Sequence, residues 1–436
     1  MLVDVGLFQG EKALRRRNRE PFPVPPDSID AVVLTHAHVD HVGYLPALVR
    51  DGFRGPVLAT RGTTSLAGIV LPDSGRLQEE EADHANREGY SKHDPALPLY
   101  TEADARRSLQ AFREVAYGET VAVGDDVEVE LRPAGHILGS ATVILRLRGP
   151  HGGRTVCFSG DLGRPNHPIL RPPAPIGDAD VVVVESTYGD RLHDDGDSLS
   201  RLADVVRRTI ARGGTVVVPA FAVDRTEVVL HHLRELAAAG ELPEVPVFVD
   251  SPMALAALAV YRAAIARGDH EISPRLDART DPFDSGQVVE VHDVDESRAL
   301  ARLGMPAIIV SASGMATGGR VLHHLARLLP DERNTVLLVG FQAAGTRGRL
   351  LVDGAAHVRM FGRDVPVRAE VAEVSMSIHA DRDELCEWLA SADRRPDVVY
   401  LVHGEAAPSE ALAAAVASRL GWDAAVPRLG ERVRLD

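Results

Sequence analysis

Thr35-His36-Ala37-His38-Val39-Asp40-His41 follows directly on the apolar run Ala31-Val32-Val33-Leu34. An apolar run closed abruptly by polar residues reads as a buried strand ending at a functional loop. His36 and His38 are two residues apart, so in extended backbone their rings point to the same side. Asp40 and His41 follow where Val42-Gly43-Tyr44-Leu45-Pro46-Ala47-Leu48-Val49 can turn into a helix. Three imidazoles and a carboxylate within six residues are the ligand types that zinc prefers. Protonated together, those histidines repel one another, and a dication resolves the conflict. A solvated polar loop favours Ser, Gly and Asn over clustered His, so the stretch reads as a metal-ligating loop.

This H-x-H-x-D-H pattern resembles that of the metallo-β-lactamase superfamily, whose fold sandwiches two β-sheets between outer helices. The resemblance implies two metals, one beside His36 and His38 and the other beside Asp40 and His41. Upstream, Met1-Leu2-Val3-Asp4-Val5-Gly6 reads as a strand running into a turn, and Asp4 matches the superfamily's first motif. A carboxylate there typically supports the metal loop from outside the ligand set. Relatives usually carry a β-hairpin before this point, which makes a start upstream of Met1 the expectation. Downstream, Val127-Glu128-Val129-Glu130-Leu131-Arg132 alternates as a half-buried strand should. It leads to Ala134-Gly135-His136-Ile137-Leu138-Gly139-Ser140, where His136 falls in the third superfamily motif and completes the first metal's ligands. Arg154-Thr155-Val156-Cys157-Phe158 then runs into Ser159-Gly160-Asp161, and Asp161 matches the carboxylate that bridges both metals. A carboxylate can span two ions about 3.5–4 Å apart, which one imidazole nitrogen cannot.

Three further stretches narrow the resemblance. Asp180-Val181-Val182-Val183-Val184 ends in Glu185-Ser186-Thr187, Ser375-Met376-Ser377-Ile378-His379-Ala380-Asp381 precedes a helix, and Val398-Val399-Tyr400-Leu401-Val402 ends in His403-Gly404-Glu405. They look like the added motifs of the β-CASP nuclease group, matched by Glu185, His379 and His403. His403 separates the chain from the DNA-repair branch, which typically lacks that histidine. The wording around His136 resembles the cleavage-and-polyadenylation type and its prokaryotic relatives more than the RNase J type.

The resemblance implies an α/β fold: a metallo-β-lactamase αββα sandwich with an inserted, mainly parallel β-CASP α/β domain. It implies a zinc-dependent endoribonuclease that hydrolyses RNA phosphodiester bonds to 5′-phosphate and 3′-hydroxyl ends. Two zinc ions per chain, with manganese as the alternative, would be held by His36, His38 and His136 and by Asp40, His41 and His403, with Asp161 between them. Asp40 also orients the attacking water, and His379, oriented by Glu185, acts as general acid. The rivals are a 5′-to-3′ exoribonuclease of the same fold, a DNA-processing member and a non-catalytic RNA-binding member. Single-stranded RNA is the expected partner, and a homodimer is expected from relatives that form one.

Composition limits the alternatives. At 436 residues the chain exceeds one ordinary domain. No apolar run reaches the roughly 18 residues that span a membrane, and the start lacks a signal-peptide charge pattern. Cys157 and Cys386 alone provide no disulfide framework, so a cytoplasmic setting is expected. A net charge of −15 argues against broad electrostatic capture of a polyanion, but not against a local basic groove or metal-directed binding.

The remaining stretches set the organisation. Between Asp51 and Arg132 short apolar runs alternate with charged stretches, among them an acidic helix face at Gln78–His84 and an N-capped helix after Thr101. From about Asp190, strands at Gly214–Pro219 and Val245–Val249 alternate with helical patterns at Leu202–Arg212 and Thr226–Ala239, which argues for a parallel sheet. The expected domains are therefore residues 1–189 and 367–436 for the sandwich and 190–366 for the insertion. Loops at strand ends suit phosphates, and the resemblance makes Arg225, Ser251, Ser313 and Thr346 candidate RNA contacts. His231-His232 and His323-His324 lie in helical patterns and read as structural or solvated.

Overall fold

The run Val181-Val182-Val183-Val184 serves two cores at once. In the strand Val181–Glu185 successive side chains point to opposite faces. Val182 and Val184 enter one apolar cluster, while Val181 and Val183 face another. The computed structural model describes residues 1–10, 12–89, 93–149, 152–193, 198–277 and 279–435. Its described residues place this strand third in a seven-stranded sheet. The order is Ala424–Ala425, Val398–Val402, Val181–Glu185, Arg154–Phe158, Ala141–Leu147, Val127–Pro133 and Thr120–Val123.

Strand direction decides where the polar residues emerge. Arg154–Phe158, Val181–Glu185 and Val398–Val402 pair in parallel, so their carboxyl ends share one edge. Ala141–Leu147 runs antiparallel to Arg154–Phe158, and the turn that precedes it therefore opens on that same edge. A second, four-stranded parallel sheet contains Leu2–Val3, Val32–Val33, Val57–Ala59 and Phe112–Glu114. Val33 and Leu58 pack on Val129, Leu131 and Val143 of the larger sheet. On that sheet's other face, Leu385 and Trp388 of the helix Arg382–Leu389 and Leu412 and Val416 of Ala406–Leu420 cover Cys157 and Val182. Burial pushes the Cys157 thiol up to about 12, which leaves it a core residue.

The Asp51–Arg132 stretch, expected to alternate, contains a helix of 28 residues, Arg61–Glu88, with Pro72 inside it. Thr60 caps it: its hydroxyl accepts from Thr63 N at 3.2 Å and donates to the Gly139 carbonyl at 2.6 Å. That carbonyl belongs to the turn carrying His136, so the helix start braces the site. Thr101 likewise forms a capping box for Glu102–Ser108. Among the described residues no helix is long and apolar enough to cross a membrane.

The chain divides into two compact units, Met1–Leu192 with Ile378–Asp436, and His193–Ser377. The second contains a six-stranded sheet whose neighbouring strands all pair in parallel, in the order Val288–Glu290, Val247–Val249, Ile308–Ser311, Val216–Pro219, Thr335–Leu338 and Glu370–Glu373. Its core includes Val217, Ile309, Val336, Leu325 and Leu338. Glu370–Glu373 pairs with Thr335–Leu338, which keeps residues 367–377 with the insertion.

Candidate metal centre

The polar residues that close the strands of both sheets converge in the first unit. His36 and His38 follow Val32–Val33, and Asp40 and His41 lie in the short helix Val39–Val42. His136 sits in the turn between Val127–Pro133 and Ala141–Leu147, and Asp161 follows Arg154–Phe158. Glu185 ends its strand, and His403 follows Val398–Val402 with φ of +57°, a left-handed conformation costly outside glycine.

Asp161 lies between two donor groups. His36 Nε2 and His136 Nε2 each approach its Oδ2 at 3.5 Å. His38 Nδ1 lies 3.1 Å from His36 Nε2 and 3.3 Å from His136 Nε2. A tetrahedral ion with ligands at about 2.0–2.1 Å has donor–donor edges of about 3.3–3.4 Å. These four atoms therefore fit one divalent cation. On the other side His41 Nε2 and His403 Nδ1 face Asp161 Oδ1 at 3.4 and 3.2 Å. His41 Nε2 and His403 Nε2 are 3.1 Å apart, and Asp40 Oδ2 is 3.6 Å from His403 Nε2. Asp161 Oδ1 is buried and makes ion-pair contacts there without a hydrogen bond of ordinary geometry. Such an oxygen suits a cation.

A third group shares the same carboxylate. His379 Nδ1 is 3.1 Å from Glu185 Oε1 and 4.0 Å from Asp161 Oδ2. Glu185 is buried, and its Oε1 also accepts from Leu162 N at 2.8 Å. A β-bridge between Gly163 and His379 fixes the same two loops. A Cβ on Gly163 would fall 1.7 Å from the Gly135 carbonyl oxygen, so only glycine fits this approach.

Supporting contacts hold the ligand types in place. Asp4 accepts from Thr35 N and Thr35 Oγ1, each at 2.7 Å, and lies 2.7 Å from His41 Nδ1. Ser140 Oγ accepts from His136 N at 2.9 Å, and Ser159 Oγ accepts from Glu185 N at 3.0 Å. Of these residues Asp4 is expected from the sequence, whereas Thr35, Ser140 and Ser159 are not. Their one signal is a hydroxyl residue at a strand end, next to His36 for Thr35, four residues after His136 for Ser140 and two before Asp161 for Ser159.

Electrostatics divides the imidazoles. Burial pulls His36, His38 and His136 down from the usual histidine range, with His41 adding to the effect at His36 and His379 at His136. Burial opposes the charge on His41, but Asp161 and Asp4 outweigh it and raise the group. Asp161 is also the main cause that raises His403 to about 9. His379 is raised by Glu185 against the cost of burial. Burial likewise pushes Asp161 and Asp40 up, yet both are held below the usual carboxylate range, with His403 the foremost opposing influence on each. One half of the pocket thus offers neutral nitrogen lone pairs, and the other holds protons that a dication can displace.

Similarity to known proteins agrees with this geometry. A beta-lactamase superfamily domain model matches residues 2–207, a Beta-Casp domain model 226–351, and a Zn-dependent metallo-hydrolase RNA specificity domain model 364–427. The chain is 36% identical over 435 residues to Ribonuclease TTHA0252 of Thermus thermophilus, covering 99% of this chain and 94% of that protein. The chain belongs to the β-CASP group of the metallo-β-lactamase superfamily. The β-CASP chain is also 32% identical to transcription termination factor FttA of Pyrococcus horikoshii, over 93% of its own length and 62% of the archaeal protein. An RNase J-like protein of Methanocaldococcus jannaschii is 30% identical, over 87% and 82% of the two chains.

The four candidate RNA contacts lie in the second unit of this β-CASP protein, beyond the carboxyl ends of parallel strands. Ser251 and Thr346 are helix N-caps, accepting from Ala254 N and Arg349 N. Ser313 Oγ meets Thr317 Oγ1 at 2.9 Å, and Arg225 is buried at the start of Arg225–Ala238. Of the paired histidines, His232 lies 3.0 Å from Glu235 and His324 is buried against Asp250 at 2.6 Å.

Proposed function

We propose that this chain is a metal-dependent endoribonuclease that hydrolyses RNA phosphodiester bonds in RNA processing or decay. The observation that carries the proposal is one buried carboxylate, Asp161, shared by two cation-fitting donor groups, with the Glu185–His379 pair on its flank. His36, His38 and His136 would hold one zinc ion and Asp40, His41 and His403 a second, with Asp161 serving both and manganese the alternative metal. When bound, such ions supply Lewis-acid charge to the phosphate and acidify water enough for attack on phosphorus at neutral pH. Asp40, with 38% of its side chain exposed, orients the water. Glu185 holds His379 Nδ1, which assigns proton delivery to Nε2 at the leaving oxygen. Attack by water rather than by the ribose 2′-hydroxyl, with the 3′-oxygen leaving, gives 5′-phosphate and 3′-hydroxyl ends. The similarity to the Thermus ribonuclease and the match to an RNA specificity domain support RNA as substrate. A single-stranded target, a homodimer and a cytoplasmic setting belong to the same proposal.

The test uses zinc-loaded protein, a circular single-stranded RNA and a His36→Ala control on a denaturing gel. Linear product from the wild type alone is the expected result. An intact circle beside degradation of a matched linear RNA reassigns the chain as a 5′-to-3′ exoribonuclease. Survival of both RNAs overturns the proposal in favour of DNA processing or RNA binding without catalysis.

A further inference from the structure

A chain of net charge −15 has to bring a polyanion to the pocket just described. Within the first unit, one cationic cluster is connected through the backbone to the loop that carries His38, Asp40 and His41. Arg15, Arg16, Arg17 and Arg19 stand on and just after the helix Lys12–Arg17. Backbone contacts tie this segment to the metal loop. Val5 N donates to His41 O at 2.7 Å and Leu7 N to Val39 O at 3.0 Å, so Phe8 directly follows a segment bound to the helix Val39–Val42 that carries Asp40 and His41. The Asn18 side chain then brackets Phe8, accepting from its N–H at 2.8 Å and donating to its carbonyl at 2.9 Å. The Arg17 guanidinium lies 5.1 Å from the centre of the Phe8 ring, which is itself exposed.

Several arginines of this protein are neutralised by neighbouring carboxylates. Arg76 faces Asp73 and Glu80, Arg154 faces Asp180 and Asp397, and Arg394 faces Asp178 and Asp180. Arg15 and Arg16 are exposed, and among the described residues neither faces a carboxylate at ion-pair distance. Guanidinium groups suit bidentate phosphate contacts, and an aromatic ring backed by arginine suits a stacked base. We infer that Arg15 and Arg16, with the Arg17–Phe8 pair, form a subsite for the phosphates and one base of single-stranded RNA beside the scissile bond. This inference rests on the ribonuclease reading for the identity of the polyanion.

The test measures binding of a fluorescein-labelled single-stranded oligoadenylate by anisotropy across a salt series, with zinc-loaded full-length chain in a His379→Ala background to suppress cleavage. Each phosphate contact with a single strand contributes about −0.7 to the slope of log affinity against log salt. R15A/R16A should therefore flatten the slope by about 1.4, with the loss of affinity greatest at low salt. R15K/R16K should keep most of the slope, and R113A/R148A, a charge-matched pair on other elements, should keep all of it. An unchanged slope in R15A/R16A overturns the subsite, as does equal flattening in the control pair. A wild type that binds no RNA overturns both the subsite and the ribonuclease reading. Binding with the expected slopes but no cleavage of circular or linear RNA by the protein that retains His379 overturns the ribonuclease reading alone.

Discussion

At the residue scale the proposed roles separate residues that hold charge from one that moves a proton. His379 touches Asp161 only at 4.0 Å but holds Glu185 at 3.1 Å, so its removal should leave both donor groups intact. His379→Ala is expected to retain the wild-type zinc content by elemental analysis while turnover falls about 10²–10⁴-fold. Loss of metal in that variant would make His379 a structural support instead. The His36–His41 loop is legible from its own residue types, whereas His136, Asp161, Glu185, His379 and His403 stand out through their match to the motifs of the superfamily and the β-CASP group. Thr35, Ser140 and Ser159 were not legible in the same way. A hydroxyl at a strand end is ordinary, and its value comes from partners far along the chain, as when Glu185 N finds Ser159 Oγ.

At the element scale, short-range pattern and long-range packing diverge. Strands such as Val216–Pro219 declare themselves by valine content, whereas Arg61–Glu88 carries Pro72 and glycines 62, 68 and 75, which read as breaks. Burial of Leu66, Val70 and Leu71 holds that helix together despite them. Glu370–Glu373 was missed for the opposite reason, since a four-residue strand flanked by polar residues shows its identity only when Thr335–Leu338 pairs with it. Packing of elements also sets an acid limit in the second unit. Asp250, at the end of Val247–Val249, accepts from Ser297 Oγ at 2.5 Å and Arg320 Nη1 at 2.7 Å and lies 2.6 Å from His324 Nε2. Burial pushes its carboxyl up, but His324, Ser297 and Arg320 together hold it below its usual range. A depressed folded-state value means stability that is full above the unfolded value, about 3.9, and lost as pH falls through the folded one. Asp250→Asn should lower the melting temperature by a constant amount above about pH 5, and the gap to wild type should close below about pH 4. A gap independent of pH would remove the carboxylate from the account.

At the scale of the whole molecule, two units with separate cores should answer a chelator differently. The candidate metal donors all belong to the first unit. A ligand present at 100 times its dissociation constant adds about 2.7 kcal/mol to the form that binds it. Chelation is therefore expected to lower one calorimetric transition and leave the other in place; equal shifts of both would contradict this assignment. The division itself also bears on synthesis. The strand Val181–Glu185 leaves the ribosome long before its neighbour Val398–Val402, with the whole of His193–Ser377 made in between. At about 5–20 residues per second that interval lasts roughly 10–40 s, during which the nascent sheet presents an open valine edge that invites pairing with other chains. His379 and His403 are also still untranslated, so a growing chain cannot assemble the full constellation beside the message being read. Translational pausing or truncation inside the insertion would yield an aggregation-prone product without nuclease chemistry, and the last strands close the sheet and complete the centre in one event.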